Sequence, residues 1–159
     1  MPDNTEKIKA CTQWDDSNIK GWFGEYRFLS NFHICSIPHN GMIFASTESA
    51  YMAAKTERIV DKLMFTNILP IEAKSLGMKV PLKANWESIK LQVMYDVNLT
   101  KYLQHSDLRE KLLATGDKYL EETNWWNDQY WGVCNGKGEN MLGKTLMKVR
   151  EAIKEYYDR

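Results

Sequence analysis

Apolar side chains recur at three- and four-residue intervals in Trp86, Ile89, Val93 and Val97, directly after Asn85. That period is one face of an α-helix and Asn85 is a suitable N-cap, so the stretch predicts a long amphipathic helix turned towards the core. The period returns after Asn140 in Leu142, Leu146, Val149, Ile153 and Tyr156, which predicts a closing helix. Ser106 can cap a helix through Leu108, Leu112 and Leu113 that Thr115-Gly116 closes, and Pro70 fits the first turn of a shorter one ending near Gly77. Glu57 to Ile68 also reads as helical. Strand signals are confined to His33–Pro38 and Met42–Ala45, joined at Asn40-Gly41, a dipeptide suited to a type I′ hairpin turn. Residues 1–20 are polar and without clear period, which predicts an irregular or lightly paired lead-in to one domain over 21–159.

The hairpin leads into Ser46 to Thr56, the stretch on which the chemistry is expected. Ser46 or Thr47 can cap it, and Ala50, Met52, Ala53 and Ala54 favour a short helix. Glu48 and Lys55 are seven residues apart, close to two helical turns, so both would lie on one stripe within reach of a small ligand. Tyr51 and Met52 between them would desolvate the Lys55 amine in part and favour its neutral, nucleophilic form. The competing reading is an ordinary amphipathic helix with its charges placed as the helix dipole prefers.

Composition removes other classes. The chain's 159 residues suit one domain with a core large enough to leave a concave site. Basic and acidic residues balance at 21 each, so no overall field for nucleic acid or an anionic membrane exists and any such contact must be local. No apolar run reaches membrane-span length and the first residues lack a signal-peptide core, which leads us to expect a soluble cytoplasmic protein. Cys11, Cys35 and Cys134 are odd in number and far apart, arguing against a disulfide framework; with His33, His39 and His105 they show no metal-ligand spacing. Six Trp and eight Tyr exceed what a core of this size needs, and surplus Trp often lines ligand pockets.

Two further stretches are candidates for binding. Gly21 to Phe32 mixes aromatics with Gly, Ser and Asn, and Ser30-Asn31-Phe32 offers two hydrogen-bonding side chains and an apolar anchor; the alternative is a turn in which Asn31 bonds its own backbone. Residues 120–140 are rich in Trp, acids, amides and Gly, with neither helical nor strand period, which predicts a long functional loop. Within it Gly136-Lys137-Gly138, beside a helix start, resembles the end of a phosphate-cradling loop, although it lacks the full P-loop pattern. Trp86 could stack a ligand, yet its place in the apolar stripe favours core packing.

Taken in order, Ser30-Asn31-Phe32, Glu48 with Lys55, Asn85-Trp86-Glu87, Leu113-Ala114-Thr115, Asp128 before Trp131-Gly132, and Gly-Lys-Gly-x-Asn-x-Leu-Gly at 136–143 resemble the YbiA/NADAR family, with Leu146-Met147 and Arg150 completing the series. The resemblance spans roughly residues 22–155. It implies an α+β fold, a mainly helical single domain with a small N-terminal β-hairpin or sheet. It also implies N-glycosidase activity without metal or redox cofactor on ribose joined to nitrogen. The implied substrate is a small ribosyl phosphate, such as an early ribosylamino-pyrimidine intermediate of riboflavin synthesis, or an ADP-ribosyl compound, with ADP-ribosylated guanine in nucleic acid as one form. Carried over by position, Glu48 and Lys55 are catalytic, while Asn31, Trp86, Asp128, Trp131, Gly132, Gly138 and Asn140 line the pocket. The family places a Glu in a Glu-x-Thr/Ser context before the Asp; Glu121 and Glu122 both approximate it, and the loop holding Trp125 and Trp126 is slightly longer.

The expected mechanism has Lys55 attacking ribose C1 to form a Schiff base, with Glu48 moving protons and Asp128 or Glu122 orienting ribose hydroxyls. Trp131 would stack a ring and 136–140, with Lys137, would hold phosphate. Two alternatives stand beside it: a two-carboxylate glycosidase using Glu48 and Asp128, and a non-catalytic module that binds nucleotides or ADP-ribose.

Overall fold

The structure is a computed structural model that describes residues 2–159. The fold is α+β with helices dominant. In chain order the elements are α1 (Thr5–Cys11), β1 (Gln13–Trp14), β2 (Asn18–Lys20), a 3-10 helix (Gly24–Leu29), β3 (Ile37–His39), β4 (Met42–Phe44), α2 (Thr47–Ala53), α3 (Ile59–Leu63), α4 (Pro70–Gly77), α5 (Trp86–Gln104), α6 (Ser106–Ala114), β5 (Tyr119–Glu121), β6 (Thr123–Asn124), β7 (Val133–Cys134) and α7 (Met141–Tyr157). The chain forms two compact units, one of Asn31–Arg109 and one joining the chain up to Ser30 with Glu110–Arg159. No helix among the described residues is long and apolar enough to cross a membrane.

In the discontinuous unit, β1, β2 and β5 form a three-stranded sheet in that order. β2 runs parallel to β5 with Ile19 opposite Leu120, and both side chains are buried. Residues 2–20 are therefore more ordered than their composition suggested: an apolar Ile19 at 1% exposure anchors the segment to a strand far along the chain. The stretch 120–140 likewise carries strands, with β6 and β7 pairing in parallel through Thr123–Val133 and Asn124–Cys134. Its side chains show no alternation because each strand is only two or three residues long. Helix α7 packs on β5 and buries Leu142, Leu146, Val149 and Ile153. Tyr156, expected on that face, is 62% exposed. Arg150 on α7 donates to Thr115 Oγ1 at 3.0 Å and to the Lys118 carbonyl at 2.9 Å, tying the helix to the α6–β5 connection.

In the continuous unit, the β3–β4 hairpin turns at Asn40 and Gly41, both with positive φ (49° and 80°), as a type I′ turn demands. Its strands are shorter than expected; residues 33–36 lie outside β3. Helix α4 occupies Pro70–Gly77 as its punctuation indicated. The helix expected over 57–68 is reduced to α3, five residues. Helix α2 cannot run on into it because the Lys55 carbonyl, which a continuing helix would bond to residue 59, instead accepts the Lys83 N–H at 2.7 Å. On α5 the buried stripe is Trp86, Met94, Val97, Asn98, Lys101 and Tyr102, so Ile89 and Val93 sit at its half-buried edge. Asn85 makes no side-chain cap.

Candidate active site

Helix α2 is the centre of the continuous unit, and all seven of its residues are buried. Ser46 caps it, its hydroxyl accepting the Ser49 N–H at 3.1 Å. Asn31 holds the same end. Its carbonyl accepts the Glu48 N–H at 3.1 Å and the Thr47 hydroxyl at 3.2 Å, and its Oδ1 accepts Thr47 Oγ1 at 3.0 Å and Asn98 Nδ2 at 3.3 Å. Asn31 thus bonds to other segments rather than to its own backbone, and it fixes where Glu48 leaves the helix. Asn98 was not distinguishable in the sequence, where it is one amide on the apolar face of a long helix.

Glu48 is 8% exposed, an unusual setting for a carboxylate. Lys55 lies past the end of α2, in a last turn tightened by the Lys55 N–H bonding to the Met52 carbonyl at 3.2 Å. The straight two-turn stripe expected for Glu48 and Lys55 is therefore shortened, yet the two groups still interact. Burial lowers the Lys55 pKa below the ordinary lysine value, opposed first by the Glu48 charge and then by Glu87, with Lys90 adding to the lowering. The Lys55 ammonium stands 5.9 Å from the centre of the Tyr51 ring, and Tyr51 packs tilted against Trp86 at 5.2 Å between ring centroids. Trp86 is buried beneath Tyr51 as the first residue of α5. Phe32 is half-buried, with the Lys74 ammonium 6.0 Å from its ring centre.

The discontinuous unit gathers the other candidates. Glu122, rather than Glu121, sits with them: its carboxylate accepts Asn124 Nδ2 at 3.2 Å, and a Cβ on the buried Gly132 would collide with it. Glu121 is in β5 and accepts the Thr123 hydroxyl. Asp128 Oδ1 accepts the backbone N–H groups of Tyr130 (3.2 Å) and Trp131 (2.9 Å), so this carboxylate shapes the loop that presents the half-buried Trp131. Asn124, which the sequence did not single out, bonds Asp128 through both backbone groups and so closes that loop. Ser30 ends the 3-10 helix, its N–H bonded to the Arg27 carbonyl.

Several of the backbone donors expected to cradle phosphate at 136–140 are bonded within the chain. Cys134 and Lys137 bond each other's backbone groups in a closed turn. The N–H groups of Glu139, Asn140, Met141 and Leu142 donate to the carbonyls of Gln129, Gly132, Tyr130 and Trp131. Donors that would meet an anion at the start of α7 are thus consumed by the preceding loop. Gly138 has φ 149° and touches the Gly132 carbonyl closely enough that any Cβ would clash, and the Lys137 side chain is exposed. Asn140 adopts the left-handed conformation and is 2% exposed, with its amide bonded to Glu122, Tyr119 and Leu120. Among the described residues no three His, Cys, Asp or Glu side chains converge as metal ligands would, and Cys11, Cys35 and Cys134 are free thiols.

Comparison with known proteins gives consistent matches. The NADAR domain family matches residues 14–154. The N-glycosidase YbiA of Escherichia coli is 35% identical over 159 residues, 96% of this chain and 98% of that protein. An N-glycosidase of Nostoc punctiforme is 38% identical over 136 residues, 81% of this chain and 86% of its own. The NMR structure of E. coli YbiA superposes with a TM-score of 0.80 at 32% identity, covering 94% of this chain and 92% of that one.

Proposed function

The chain belongs to the NADAR domain family, and from that membership we propose that it cleaves the bond between ribose C1 and nitrogen in a phosphorylated ribosylamine or an ADP-ribosyl compound, using Lys55 as nucleophile and Glu48 as acid and base. It is a hydrolase of N-glycosyl compounds, the activity named for its curated relatives. The observation that carries the proposal is the Lys55 amine, half-buried beside Tyr51 with its proton affinity lowered by burial and a buried carboxylate acting on it.

The neutral Lys55 amine adds to C1 as the C1–nitrogen bond breaks, and protonated Glu48 delivers a proton to the departing nitrogen. The bond between C1 and the ring oxygen then breaks, the oxygen taking up the proton lost by the Lys55 nitrogen, and the open-chain sugar is left as a protonated Schiff base on Lys55. Water then adds to C1, Glu48 takes its proton, and collapse of the carbinolamine returns the free lysine and the ribose aldehyde. One difficult displacement becomes two easier steps. Glu48 serves because its position is fixed by Asn31 at the helix start, so it need not reorganise between the two proton transfers. A riboflavin biosynthesis protein of Vibrio vulnificus is 34% identical over 136 residues, 81% of this chain and 36% of that protein, and its name agrees with a substrate drawn from riboflavin synthesis.

The test is the intact mass of wild type and Lys55→Ala after borohydride reduction with ADP-ribose or ribose 5-phosphate. A reduced adduct on wild type alone is expected. Equal labelling of both proteins refutes Lys55 as the nucleophile, and base release without any adduct favours a two-carboxylate route.

A further inference from the structure

Apolar side chains crowd the outer surface of the continuous unit around α3 and α4. Helix α3 buries none of its residues, although Ile59, Val60 and Leu63 are aliphatic, and each of these is more than half exposed. The same holds for Met64 at its end, for Leu69 and Ile71 where α4 starts, and for Met78 and Leu82 beyond it. Helix α4 is packed on one side only. Pro70, Ala73 and Gly77 form its buried face, Gly77 against Met52 of α2, which turns Ile71, Glu72, Ser75, Leu76 and Lys79 the other way. With Met64 and Ile68 those residues line a groove of about 450 Å³.

A half-exposed aliphatic side chain leaves on the order of 100 Å² in water, so the surface presented here is close to the roughly 800 Å² per partner that a stable interface covers. It exceeds the roughly 300–600 Å² of the largest apolar patch on a typical monomer. The charges of the groove are arranged for a second copy of the same chain. Glu72 and Lys79 are exposed, and neither joins an ion pair among the described residues. Glu72 Oε1 accepts the Leu69 N–H at 3.0 Å, which holds the carboxylate in place and leaves Oε2 for a cation. Lys79 keeps the helical course past the end of α4, its N–H bonded to the Leu76 carbonyl at 2.9 Å. The two charges therefore flank Ser75 and Leu76 at equal spacing. A twofold axis through Ser75 and Leu76 that lays α4 antiparallel to its copy sets Glu72 of each chain opposite Lys79 of the other, with the apolar linings of the two grooves face to face. We propose that this surface is a homodimer interface, built on α4 and the end of α3 and closed by two symmetry-related Glu72–Lys79 ion pairs.

Sedimentation equilibrium of the full chain over ~1–100 µM, the weak end of association for interfaces of standard size, measures the assembly. Wild type should approach twice the chain mass at the upper end. Glu72→Lys and Lys79→Glu each turn both pairs into repulsions and should weaken dimerisation by about tenfold or more. An equimolar mixture of these two variants restores both pairs across a mixed dimer and should recover the wild-type association. A groove that takes a peptide or a small apolar ligand instead would leave the mixture behaving as its components do. Ile71→Asp, which puts a charge into the apolar lining, should remain monomeric throughout. Thermal melting checks that each variant is folded; if Glu72→Lys is not, having lost its bond to the Leu69 N–H, Lys79→Glu and Ile71→Asp carry the test. A wild type that stays monomeric overturns the proposal, as does a dimer that Lys79→Glu and Ile71→Asp leave intact or a mixture no tighter than its components.

Discussion

Replacing Asn140 by Ala removes three side-chain hydrogen bonds at one buried point and forces Ala into a left-handed backbone. Asn140 has φ 52° and ψ 42°, its Oδ1 accepts the Glu122 N–H at 3.1 Å, and its Nδ2 donates to the Leu120 carbonyl at 2.9 Å and to the Tyr119 hydroxyl at 3.0 Å. Tyr119 is exposed, so its hydroxyl can turn to water and that bond contributes little. The Glu122 N–H and Leu120 carbonyl are less fortunate, and a buried backbone group left unsatisfied costs about 1–3 kcal/mol. Ala in the left-handed region adds roughly 1 kcal/mol. Together these give a loss of about 4 kcal/mol, a large share of the roughly 5–15 kcal/mol of a typical domain. With a urea slope of about 2 kcal/mol/M, the midpoint should fall by roughly 2 M. Asn140→Gly, free of the backbone strain, should lose about 1 kcal/mol less. Urea denaturation followed by tryptophan fluorescence measures all three proteins. A loss below about 1 kcal/mol in Asn140→Ala, with only substrate affinity reduced, would refute the reasoning and make Asn140 a ligand contact first.

Other outcomes follow from the same structure. Adduct formation on Lys55 requires the neutral amine, so its rate should rise with pH through a lysine pKa held below 10.5 by burial; because the Glu48 charge raises that pKa, Glu48→Gln should move the rise to lower pH, read from the pH profile of borohydride trapping. Gly77 on α4 faces the Met52 side chain of α2 so closely that a Cβ would overlap it, and Gly77→Ala should destabilise by about 1–3 kcal/mol in thermal melts. The Tyr102 hydroxyl is buried with no hydrogen-bond partner, so Tyr102→Phe should leave stability unchanged or raise it by about 1 kcal/mol; a loss above that would mean the hydroxyl has a partner in solution.

The legible features were those that local chemistry settles. Pro70 and Gly77 bound α4, Ser46 caps α2, and Asn40-Gly41 makes the hairpin turn, each through its own backbone preference. What could not be read depends on partners distant in sequence. Helix α2 stops where it does because Lys83 takes the Lys55 carbonyl, and β5 is a strand because β2 lies beside it. The buried face of α5 is rotated towards Asn98 and Lys101, polar residues that a hydrophobic pattern assigns to the surface. Gly136-Lys137-Gly138 has the composition of an anion loop, but composition does not show that its neighbouring N–H groups are already bonded.

The division of the chain also bears on how it folds. Asn31–Arg109 is an unbroken stretch, whereas the other unit is completed only when residues after Glu110 return to those before Ser30. The hairpin, α2, α4 and α5 can settle from contacts within one continuous segment as it leaves the ribosome. Ile19 must wait for Leu120, about a hundred residues later, and closing so long a loop precedes any reward from the parallel β2–β5 pairing. In the interval the β1–β2 pair leaves the other edge of β2 without its partner, so this sheet is the last part to become safe from misassociation.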